Sequence, residues 1–163
     1  MPQLTFPVSG FDLIIPVVVG LDGTTTAALL AAGQAVPRPL LVSGEIDTGS
    51  NITCISAGVL QRVAARSTQL SSAHSTVGVS NVKLFIVSLS IVGPLSNAGP
   101  TFVQSDLEVM EPPYLPQGRD VLIGMDVLLQ CQLLIDGPAR QFMLSFCFGI
   151  TQKSSSNSRW RTA

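Results

Sequence analysis

Asp47, Thr48, Gly49 and Ser50 place a carboxylate directly after the apolar run Leu40 to Ile46, where a buried strand would break into a tight turn. A carboxylate held there can serve as a general acid or base toward water, provided that the turn fixes it. Gly49 permits close backbone approach, Thr48 can fix the turn by hydrogen bonding, and the Ser50 hydroxyl can donate to the carboxylate. Such a bond from Ser50 would favour the ionised form and shift activity toward acid. The competing reading of Asp47 is a solvated turn aspartate. Other reactive residue types are placed less suggestively. His74 is the only histidine and has no Ser-His-Asp or metal-ligand spacing around it, so it reads as an exposed loop residue. Cys54 lies seven residues past Asp47 in an apolar run, where core packing outweighs thiol nucleophilicity. Asp120 and Asp126 read as structural caps and turn residues.

The elements that must hold Asp47 are short apolar runs separated by Gly, Pro, Asn and Ser, a pattern of strands and turns in an all-β domain. Strands are predicted at Leu13 to Val19, Leu40 to Ile46, Thr53 to Ile55, Val82 to Val92, Thr101 to Val109, Cys131 to Ile135 and Gln141 to Phe146. Helical pattern is confined to Ser56 to Ala65, with Ser56 as cap and Val59, Leu60 and Val63 on one face, and to Asp126 to Gln130. Thr25 to Ala35 fits a helix by propensity or an irregular insertion closed by Pro37 and Pro39.

About seventy residues after the first motif the chain reads GRDVLIGMDVLLQ, an apolar strand, a glycine and a short helix. Apolar-Asp-Thr-Gly-Ser followed downstream by apolar-apolar-Gly-x-Asp resembles the retropepsin-like (retroviral-type) aspartic proteases, including their bacterial single-domain relatives. The likeness runs from about Leu13 to Phe146, apart from an insertion at about 22–38. It implies a closed β-barrel half with a flap hairpin and one short helix, completing an acid-protease fold as a homodimer. Asp47 would be catalytic, supported by Thr48, Gly49 and Ser50, with no metal and no cofactor. Substrate would meet Asn51, Val77, Gly78, Val79 and Ile123, with the flap between His74 and Asn81 and Gly78 near its tip. The strand Gln141 to Phe146 would lie at or beside the dimer interface. The family commonly has a carboxylate four residues after the catalytic Asp and an Arg directly after the Ile-Gly; here Asn51 and Met125 stand there. Losing both partners of a buried ion pair can be nearly neutral, and Arg119 with Asp120 offers a replacement.

Carboxylate-only peptide hydrolysis needs two carboxylates sharing one proton. The chain holds one Asp-Thr-Gly, and Asp136-Gly137 lacks the intervening Thr. The second Asp47 must come from a second copy, and two-fold symmetry puts the same residue on both sides of the axis. Composition agrees with a covered surface: 46% of residues are hydrophobic and 12% charged, with a mean hydropathy of +0.46. The longest apolar stretch, Leu13 to Val19, contains Pro16 and is too short to span a membrane. The opening MPQLTFPVSGFD lacks a secretory pattern, so a cytoplasmic location is expected. Cys54, Cys131 and Cys147 are expected to be buried free thiols. A net charge of -1 gives no footprint for nucleic acid. Residues 1–150 form the expected domain and 151–163 a disordered tail. The endopeptidase reading competes with a catalytically silent dimer of the same fold that binds extended peptides by strand addition. Phosphoryl transfer on an aspartate lacks the Lys and glycine-rich loop it requires.

Overall fold

The computed structural model describes residues 3–75, 78–93 and 100–146. Alternating burial along the strands sets the architecture. In β2 (Ile14–Leu21), Ile15, Val17 and Val19 point inward and are fully buried, while Ile14, Pro16 and Val18 are half-exposed. That period of two marks a strand with one face on a core. After β1 (Gln3–Pro7) and β2 come α1 (Gly23–Ala31), β3 (Leu40–Ile46), β4 (Cys54–Ile55), α2 (Ala57–Arg62), β5 (Ser67–Ser75) and β6 (Gly78–Val92). The chain continues through β7 (Pro100–Glu111), β8 (Val121–Ile123), α3 (Met125–Leu128), β9 (Cys131–Asp136) and β10 (Gln141–Phe146).

The strand order β2-β3-β8-β4-β7-β6 returns to β2 through a second pairing of β2 with β6, so six strands close a barrel. Closure removes the edges that those strands would otherwise expose. β5 extends the sheet beyond β6, forming a hairpin arm in which Ser75 faces Gly78 across residues 76 and 77. A second sheet, β1-β10-β9, packs on the barrel with Leu4, Phe6, Phe142, Leu144 and Phe146 buried. Phe6 stacks on Phe142 and Phe102 tilts against Phe146, at centroid distances of 5.4 and 5.1 Å. Geometries of this kind add to the burial of the rings.

The all-β class and the closed barrel agree with the expectation from sequence, whereas the single short helix does not. Three helices are present among the described residues. The undecided segment after Asp22 is one of them: Asp22 caps α1 by accepting from the Thr25 N–H at 2.7 Å. No residue of α1 is buried, so its Ala-rich propensity and its cap hold it rather than packing. β1 and β5 were not anticipated either. The tail from Thr151 onward lies outside the described residues, as do Val77 and Cys147. Among the described residues no helix is long and apolar enough to cross a membrane.

Two glycines separate backbone strain from helix propensity. A Cβ on Gly124 would lie 2.6 Å from the Ile52 carbonyl carbon and 2.9 Å from the Thr53 nitrogen, backbone that cannot move aside cheaply. Gly58, in α2, has nothing within 4 Å of the same position. Gly124→Ala should therefore cost about 3 kcal/mol in urea unfolding, whereas Gly58→Ala should be neutral or stabilising by up to about 1 kcal/mol. Equal effects of the two substitutions would contradict the close approach at Gly124.

Candidate active site

Asp47 is the first residue past β3, and its N–H donates to the Ile123 carbonyl at 3.0 Å, continuing the parallel pairing of β3 with β8. The chain then turns. Ser50 N–H donates to the Asp47 carbonyl at 3.3 Å, and Gly49 N–H donates to Asp47 Oδ1 at 2.9 Å. A Cβ on Gly49 would sit 3.2 Å from that oxygen, so a glycine lets the carboxylate fold back onto its own turn. Asp47 and Ser50 are half-buried, while Thr48, Gly49 and Asn51 are exposed.

The second motif packs against the first through backbone. Met125 N–H donates to the Ser50 carbonyl at 2.8 Å and Asp126 N–H to the Asn51 carbonyl at 3.2 Å. The start of α3 thus satisfies the carbonyls of the Asp47 turn with donors that a helix cannot satisfy itself. Behind the turn, Thr53 is a fully buried polar residue. Its N–H donates to Asp126 Oδ2 at 2.9 Å and its hydroxyl to Oδ1 at 2.7 Å, while Gly124 N–H donates to that hydroxyl at 3.1 Å. Val127 N–H adds a bond to Asp126 Oδ1 at 2.9 Å. Asp126 is therefore the structural residue expected. Burial pushes its pKa up, and the bonds from Thr53 and Val127 partly offset the shift.

Several expectations need correction. The Ser50 hydroxyl donates to the Ile52 carbonyl at 2.7 Å and not to Asp47, because the turn aims it forward along the chain toward β4. The proposed basis for an acid-shifted optimum is thereby lost. Ile123 cannot line a groove: it is fully buried on the inward face of β8, and it acts through its carbonyl on Asp47. Leu122, its half-exposed neighbour, faces outward instead. Arg119 and Asp120 do not replace the missing ion pair at Asn51 and Met125. Arg119 binds Glu45 Oε2 through Nε at 2.8 Å and Asp12 Oδ2 through Nη2 at 2.6 Å, away from that corner, where Asp126 and Thr53 supply the link.

His74 is exposed but lies in β5, paired with Val79. Gly78 opens β6 with φ +134°, a backbone region that suits glycine, and Val79 is 62% exposed. Cys54 is 4% exposed, and burial pushes its thiol up to about 11. Cys131 is only half-buried. A cavity of about 540 Å3 is lined by residues that include Asp22, Thr25, Arg66, Thr68 and Asp106, none of them near the Asp47 turn in the pairing scheme.

No protein-family model matches the chain, and no curated protein matches it by sequence. Among solved structures, the chain is similar to a retropepsin-like aspartic protease from Rickettsia conorii, with a TM-score of 0.56 and 11% identity over 89% of this chain and 90% of that one. A second similar structure is the retroviral protease-like domain of Ddi1 from Leishmania major, at 16% identity over 82% and 94% of the two chains and a TM-score of 0.40. The chain has the retropepsin-like fold.

The raised pKa of Asp126 has a thermodynamic sign. A carboxylate that binds its proton more tightly when folded contributes stability below its unfolded pKa and loses it as pH rises through the folded value. Relative to Asp126→Asn, the wild type should therefore lose stability between pH near 3.8, the ordinary value, and neutrality. Urea unfolding of both proteins across that range would measure it. A wild-type advantage that grows toward neutral pH would mean that the three donated hydrogen bonds outweigh burial.

Proposed function

We propose that the protein is an aspartic endopeptidase that acts as a homodimer, with Asp47 of each subunit flanking one water. The observation that carries this reading is the Asp47 turn: a half-buried carboxylate at the end of β3, with one oxygen held by the Gly49 N–H and the backbone pinned to Ile123. The chain supplies one such carboxylate, and the fold matches that of a retropepsin-like aspartic protease.

The chemistry follows from two carboxylates that share a proton. The ionised member takes a proton from water as the oxygen adds to the peptide carbonyl carbon, and the protonated member gives its proton to the carbonyl oxygen. The gem-diol then collapses: one of its hydroxyls returns a proton to the second carboxylate as the C–N bond breaks, and the departing amine takes up the proton held by the first. Thr48 and Gly49 support the carboxylate, and exposed Asn51 offers polar contacts to substrate. Gly78 and Val79, with Val77 beyond the described residues, would close over an extended peptide as the flap. Substrate there would gain backbone hydrogen bonds as an added strand. A second copy has apolar surface to cover: Leu129, Leu134 and Ile135, on and beside the edge strand β9, are 77, 51 and 54% exposed.

Asp47→Asn should reduce cleavage of an unstructured protein by on the order of 1000-fold or more, with the unfolding transition retained. Residual peptidase activity in the purified variant would move the catalytic role elsewhere. Sedimentation should show a dimer, and full activity from a monomer at high dilution would contradict a shared site.

A further inference from the structure

The Asp47 carboxylate shares its sheet face with a charged cluster. In β3, Gly44 and Ile46 are buried, so Ser43, Glu45 and Asp47 alternate onto the opposite face. In β8, Val121 and Ile123 are buried, which leaves Leu122 outward, and Asp120 precedes it on the same side. The parallel register sets Leu122 beside Glu45, and the Asp120 N–H extends the pairing to the Ser43 carbonyl at 3.2 Å. Moving back along β3 from Asp47, the face presents first Glu45 with Leu122, roughly 6.6 Å away, and then Ser43 with Asp120.

Arg119 joins this cluster but does not neutralise it. One guanidinium engages one oxygen of Glu45 and one of Asp12, so the triad carries a net charge of -1, and Asp120 brings the group to -2. Glu45 and Asp12 can each accept further hydrogen bonds besides the one that Arg119 donates. All four side chains are only half-buried. Charges so placed remain available to a ligand, whereas their mutual attraction adds little stability.

Resting on the endopeptidase reading of Asp47, we propose that Glu45, Asp12, Asp120 and Leu122 form a specificity wall that favours substrates with a Lys or Arg side chain close to the scissile bond. An extended peptide presents a side chain to the same side every second residue, roughly 6.6 Å apart. A peptide whose carbonyl lies at Asp47 thus sets its neighbouring same-side residue over Glu45 and Leu122. A long basic side chain suits that place: its methylenes cover Leu122 and its cation reaches the carboxylates. An acidic side chain meets like charge. Two-fold symmetry would repeat the wall on the other side of the site.

The test reads binding apart from cleavage. Fluorescent versions of one neutral decapeptide, with Lys, Leu or Glu walked through every position, are titrated against the Asp47→Asn protein at low salt. At one or two positions Lys should bind about five- to tenfold tighter than Glu, and high salt should erode the difference. Glu45→Gln, and separately the milder Asp12→Asn, should each bring the ratio toward unity, with thermal unfolding as the control for folding. No binding, no charge preference, or a preference for Glu would overturn the wall. Cleavage of the same peptides by wild type reads the catalytic step: a Lys preference in binding without any cleavage would sink the endopeptidase reading alone, and equal cleavage of all three would sink the wall alone.

Discussion

Everything near Asp47 depends on how closely two loops approach at Gly124. The backbone of Gly124 sits so near Ile52 and Thr53 that even a methyl group would collide with them. Only at this separation can the Thr53 hydroxyl take the Gly124 N–H while giving its own proton to Asp126. Thr53 is wholly buried, and a buried polar group without partners would be expensive, so the network is satisfied as a unit or not at all. Once it is satisfied, the start of α3 faces the carbonyls of Ser50 and Asn51, and the Asp47 turn has a floor.

This arrangement accounts for the paired departure from the retroviral pattern. With Asn51 and Met125 at the two positions where the family commonly has opposite charges, neither leaves a buried charge unpartnered. The corner is instead held by one carboxylate, Asp126, that accepts three hydrogen bonds from Thr53 and Val127. Burial still disfavours its charge, and the donors only partly compensate. Neutral donors here do the positional work that an ion pair would do, without requiring a second buried charge.

The legible parts of the chain were those in which side-chain pattern and structure answer to the same force. β10 was read at its observed bounds because Phe142, Leu144 and Phe146 alternate inward, and α2 was read from its Ser56 cap and the buried Val59, Leu60 and Val63. β5 escaped notice because STQLSSAHS has no apolar period; its partner β6 holds it in place by backbone pairing. β1 is short and ends at Pro7, and its strand character comes from lying against β10, a partner more than a hundred residues away in sequence. The Asp-Thr-Gly turn was legible as chemistry, but the direction of the Ser50 hydroxyl was not. A hydroxyl rotates to whichever acceptor the fold places nearby, and that acceptor is the Ile52 carbonyl. Ile123 was misplaced for a related reason: strand parity decides which of Leu122 and Ile123 faces out, and parity is set by register with β3.

The same parity ties the Asp47 carboxylate to the charges beside it. Glu45 and Asp47 are separated by a single inward residue, Ile46, whose N–H is bonded to the Leu13 carbonyl at 3.0 Å. Arg119 reaches from the entry to β8 across Glu45 to Asp12, on the segment that leads to Leu13. One half-exposed guanidinium thus spans three stretches of chain that converge on the end of β3. Ion pairs as exposed as these contribute at most about 1 kcal/mol, so stability is a weak reason for the cluster. Its geometry offers a stronger one: each displacement of β3 that would move Asp47 must also move Glu45 against Arg119. The charges beside Asp47 and the backbone that carries its carboxylate therefore keep a fixed relation.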